Sequence, residues 1–157
     1  MGLKFEELLS FGTVLVSVLG TLRGLQHFPA LPQGVEIPLK FGLFGEVINS
    51  VRSKCAYLLY PGCCILCGLS PALVHARKQE APDWVTNKEA YQSISRRFYD
   101  VTMLLSSVLL TVITEQVPAI VRKEQRGLRP DGIVAYYMAA MGVGFGGYAW
   151  AIRRFAC

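Results

Sequence analysis

Four long apolar stretches, separated by shorter polar ones, set the pattern of this chain: residues 8–22, 55–74, 101–121 and 133–152. The second and fourth hold no charged residue, and the third holds only Glu115. At about 1.5 Å per residue, a helix of about 20 residues covers roughly 30 Å, the thickness of a bilayer's hydrocarbon core. A soluble helix of that length would show a charged face at the helical period. Stretches 55–74 and 133–152 show none. The pattern predicts an all-α integral membrane protein with four transmembrane helices, at about 8–25, 55–74, 101–121 and 133–152. The first is the shortest, so it extends through Gly24 and Leu25 while the Arg23 side chain snorkels outward.

The polar segments have their own signals. Residues 26–54 carry Pro29, Pro32 and Pro38 with Gly34, Gly42 and Gly45, which predicts an ordered, non-helical loop. Its Phe28, Leu31, Phe41, Leu43 and Phe44 are too apolar for a free linker and belong on the membrane interface or against a partner. Thr86-x-x-Glu89 reads as a capping box. Trp84, Tyr91, Ile94 and Phe98 then recur at near-helical spacing, which predicts a short amphipathic interfacial helix at 84–98, running into the third span. Residues 122–131 form a charged turn.

Composition narrows the class. Apolar residues make up 52% of the chain and the mean hydropathy is +0.37, so four spans leave too little for a second, water-soluble core. Residues 1–157 therefore read as a single membrane domain. The net charge of +5 lies in basic pairs beside the spans, among them Arg77-Lys78, Arg96-Arg97, Arg122-Lys123 and Arg153-Arg154. This placement suits anionic phospholipid such as cardiolipin, not nucleic acid. Arg96, Arg97, Arg153 and Arg154 fall on one side of a four-span topology and are the expected lipid-binding set. Orientation stays open, because Lys and Arg number eight on each side. Lys4 followed by Glu6 and Glu7 argues against a cleaved leader, and Glu6 stands where a myristoylation site needs Ser or Thr.

Candidate chemistry is sparse. Gly142-x-Gly144-x-x-Gly147 matches a dinucleotide fingerprint in form, but that motif works between a strand and a helix, not inside a span. Ala139, Gly142 and Gly146 read instead as a helix-packing face. Cys63, Cys64 and Cys67 lie mid-span without cysteines from elsewhere at that depth, and read as small packing residues. His27 and His75 follow the ends of the first and second spans, on opposite membrane faces, so one haem cannot take both. Glu115 is the sole acid inside a span, and hence the candidate intramembrane functional acid; contact with Arg122 is the structural alternative. No catalytic constellation, metal site or cofactor site is expected.

Leu31-Pro32, Ile37-Pro38, Lys40-Phe41, Gly45 and Ser53-Lys54 occur in the order found in SdpI-like bacterial membrane proteins and their domain of unknown function 1648, with lysine in place of a histidine at position 40. The resemblance covers about the first 75 residues and implies a small immunity or signalling membrane protein, whose 31–45 loop would sense a ligand. The absence of chemistry, the apolar loop and the glycine face point elsewhere: to a non-enzymatic accessory subunit of a large, energy-transducing (respiratory) membrane complex. Its partners would be other membrane subunits and anionic lipid. Cardiolipin favours a mitochondrial inner membrane over a bacterial plasma membrane. A third expectation is a small transporter or proton path through Glu115.

Overall fold

The computed structural model describes residues 5–76 and 81–156, leaving aside the side chains of Glu6 and His75. Arg77 and Lys78 lie outside the described residues. Helix α1 (Phe5–His27) leads into a hairpin of β1 (Glu36–Phe41) and β2 (Val47–Arg52). A 3-10 turn, Lys54–Leu58, opens α2 (Leu59–Ala76), followed by α3 (Lys88–Val121) and α4 (Ile133–Phe155). The architecture is α-helical, with three helical segments long and apolar enough to cross a membrane: Glu7–His27, Lys54–Val74 and Lys88–Val121. The fourth expected span, in α4, falls outside that set because four glycines and three tyrosines dilute its apolar residues.

Small polar residues are buried between the helices, and large apolar ones face outward, unlike in a water-soluble bundle. Thr13, Ser17, Ser107 and Thr114 are buried, whereas Phe11, Leu66, Leu73 and Val143 are exposed. Lipid is as apolar as leucine, so membrane helices gain by close packing and interhelical hydrogen bonds instead of by hiding apolar area. On α1 the buried positions Thr13, Ser17, Gly20 and Gly24 repeat at the three-and-four spacing of one helix face. Ser17 Oγ donates to Ser107 Oγ at 3.0 Å, and Thr111 Oγ1 donates to the Val16 carbonyl at 3.2 Å. A Cβ added at Gly24 would stand 2.9 Å from Thr114 Cγ2 and 3.0 Å from Pro61 Cβ; one at Gly68 would stand 2.8 Å from Ser17 Cβ. The α1–α2–α3 contact therefore depends on residues without side-chain bulk. These features together make the chain an integral membrane protein.

Two expectations are corrected. The amphipathic stretch 84–98 is no separate interfacial helix: from Lys88 it forms the first turns of α3, which runs 34 residues without a break. No glycine interrupts it, and Pro118 sits only in its last turn. Its cap is Asn87, not Thr86; the Asn87 side chain accepts from the Ala90 N–H at 3.0 Å. Of the expected 26–54 loop, residues 28–53 are non-helical and form the β1–β2 hairpin with its flanking turns, whereas Gln26 and His27 end α1 and Lys54 opens the 3-10 turn.

The hairpin is fixed from below and at its tip. Leu31 and Ile37 are buried with Tyr57, Tyr60, Ile113, Val117 and Leu128. The Tyr60 hydroxyl donates to the Pro38 carbonyl. At the tip, Gly132 N–H donates to Phe44 O (3.3 Å), Ala135 N–H to Leu43 O (2.9 Å), and Leu128 N–H to Gly45 O (2.9 Å). No side chain caps α4, so the hairpin's carbonyls take up N–H groups that a helix start leaves open. Gly45 has φ of +87°, and a Cβ there would lie 2.9 Å from the Leu128 carbonyl oxygen; both facts require glycine.

Candidate functional site

Proline within a helix leaves the carbonyl four residues earlier without its N–H partner, a costly loss in lipid. Pro71 does this to Cys67, and the Ser70 hydroxyl donates to that carbonyl at 2.8 Å. Pro118 does it to Thr114, and the fully buried Tyr57 donates its hydroxyl there at 3.0 Å. Thr114 Oγ1 donates to the Leu110 carbonyl at 2.7 Å and lies 4.0 Å from Cys64 Sγ. The buried polar groups around Tyr57 are thus matched to defects in the helices.

Glu115 borders this cluster. Its Oε2 lies 3.5 Å from His27 Nε2, joining α3 to the last residue of α1; both side chains are partly exposed. The acid is thus set beside an imidazole of another span, whereas the sequence offered Arg122 on its own helix as the alternative. Nearby, Gln116 Nε2 donates to the Arg129 carbonyl and its Oε1 accepts from the Arg129 N–H, both at 2.5 Å. That amide clamps the 122–132 turn onto α3.

At the other end of the bundle, α4 finishes against the start of α3. The Ala156 carbonyl accepts from Thr86 and Asn87 N–H groups, both at 3.0 Å. Phe98 stacks on Tyr148 with centroids 4.5 Å apart, Trp84 meets Tyr91 edge-on, and Ser95 Oγ lies 3.2 Å from Tyr148 Oη. A cavity of about 420 Å³ opens there, lined by Trp84, Tyr91, Tyr148, Ala149, Ile152 and Arg153. Arg96, Arg97, Arg153 and Arg154 share this end, but only Arg153 lines the cavity. Arg97 and Arg154 are exposed, and Arg96 is partly buried with its Nε without a hydrogen-bond partner.

The expected packing face on α4 has no neighbour among the described residues. Ala139, Gly142 and Gly146 are exposed, and a Cβ at Gly142 or Gly146 would meet nothing within 4 Å. The helical glycines with the closest neighbours across the bundle are Gly20, Gly24 and Gly68; they lie singly along α1 and α2, with no local cluster in the sequence to mark them. Cys63 and Cys67 are free thiols, as is the buried Cys64. Among the described residues, no three His, Cys, Asp or Glu side chains are gathered as a metal site. No family model, curated protein or solved structure matches this chain.

Proposed function

We propose that this protein is a non-catalytic accessory subunit of a large membrane complex, its partners being other membrane subunits docked along α4. The observation that carries the reading is the bare Ala139–Gly142–Gly146 face: it has the small residues that let helices approach closely, yet none of the described residues occupies it. On this reading α4 is the fourth span, since 133–152 carries no charge and its start and end are tied to the same two ends as α3. The polar groups nearest to a catalytic cluster, around Tyr57 and Glu115, answer helix defects or one another, which supports a structural role.

Anionic phospholipid is the second partner. The α3–α4 cavity has aromatic walls with Arg153 at one side and further arginines around the same end, a combination suited to a lipid at the interface. Cardiolipin, and with it a respiratory complex of the mitochondrial inner membrane, is the specific form of this proposal. Of the residues shared with SdpI-like proteins, Leu31, Ile37, Pro38 and Gly45 are buried in or beneath the hairpin, which fits a framework role for these four, while Pro32 is exposed and Phe41, Ser53 and Lys54 are partly buried. Native electrophoresis of membranes in mild detergent, with the chain traced by mass spectrometry, tests the proposal. Comigration with a species many times larger supports it; migration as a small free protein contradicts it.

A further inference from the structure

We infer that the tip of the β1–β2 hairpin, Leu43-Phe44, is a membrane-inserted wedge whose partner is the lipid surface. The inference rests on the reading that α4 crosses the bilayer. Leu43 and Phe44 are 55% and 71% exposed, although the residues around them are well held. Backbone hydrogen bonds from Gly132 and Ala135 to the Phe44 and Leu43 carbonyls set the tip at the first turn of α4. The uncharged stretch of α4 begins at Ile133, so these two side chains stand at the level where hydrocarbon starts. The Glu46 carboxylate is turned back onto the Phe44 N–H at 3.1 Å, which satisfies the tip's backbone while leaving the phenyl ring outward.

The rest of the hairpin fixes how deep the wedge can go. A two-stranded sheet has open edges, and unpaired peptide groups are not tolerated in hydrocarbon. The strands therefore lie among headgroups, where Lys40 and Arg52 are exposed beside the apolar Leu39, Ile48 and Val51. Such basic and apolar mixing suits an anionic interface. The lipid surface is the occupant that fits both the level of the tip, set by the start of α4, and this mixed basic and apolar flank.

The test uses the full chain with Trp84→Phe and Trp150→Phe, two exposed positions, so that one added tryptophan reports alone. Phe44→Trp, and separately Leu43→Trp, is reconstituted in phosphatidylcholine–phosphatidylglycerol vesicles with acyl chains brominated either near the headgroup or near the methyl end. Val143→Trp on α4 is run in parallel. The wedge predicts blue-shifted emission at positions 43 and 44 that is lost mainly to the shallow bromines. Unquenched emission at both tip positions, with Val143→Trp quenched by the deep bromines, overturns the wedge while the α4 span stands. No quenching at any of the three overturns the span and the wedge together. A photocrosslinker at position 44 that captures protein in place of lipid in native membranes also overturns the wedge.

Discussion

Tyr57 and Ser70 show how single side chains hold this molecule. Each hydroxyl meets a carbonyl released by a proline, at 3.0 Å and 2.8 Å. Removing one partner leaves the carbonyl orphaned, so Tyr57→Phe should lower stability by about 1–2 kcal/mol. Replacing the proline as well restores an N–H to the helix. The Tyr57→Phe/Pro118→Ala pair should therefore lose less than the sum of the single changes, which a double-mutant cycle by denaturant titration in mixed micelles would measure. Strict additivity would mean that the hydroxyl and the proline are unrelated. Gly24 is the steric counterpart. Its missing Cβ leaves room for Thr114 and Pro61, so Gly24→Val should cost about 1–3 kcal/mol by overpacking, whereas Gly146→Val should leave thermal stability of the isolated chain near wild type.

The elements divide into those that period and polarity reveal and those that they do not. The apolar stretches were legible because lipid demands long uncharged runs, and α2, α3 and α4 fall where those runs lie. The hairpin was not, because Pro38 and register shifts around Lys40 blur the two-residue alternation of Glu36–Phe41. The start of α3 was legible to one residue: Thr86, Asn87 and Glu89 all belong to a cap-like run, and only coordinates distinguish Asn87 as the acceptor. Asn87→Ala should cost about 1 kcal/mol. Gly45→Ala should cost more than Asn87→Ala, since it combines a positive φ with the close Leu128 carbonyl. It should also raise hydrogen exchange at Gly132 and Ala135, whose N–H groups the tip carbonyls accept. Unchanged exchange there would mean that the hairpin does not hold α4.

For the whole molecule, the candidate site was legible only in its residue types. Glu115 stood out as an acid in a span, but its neighbour His27 is on another helix, a pairing that no local pattern encodes. Arg96, Arg97, Arg153 and Arg154 were legible as one end of the bundle, because that follows from topology; that Arg153 alone reaches the α3–α4 cavity does not. An accessory subunit needs Glu115 for packing at most. Glu115→Gln should therefore leave assembly into a larger complex intact, as read by native electrophoresis and by activity of that complex; loss of proton-coupled activity with assembly preserved would favour a proton path. The central claim concerns the bare face of α4, and a photocrosslinking residue at Val143, which is 77% exposed beside Gly142, tests it most directly. Irradiation in native membranes should give covalent adducts with one or a few other membrane proteins. Adducts with lipid alone would contradict the account.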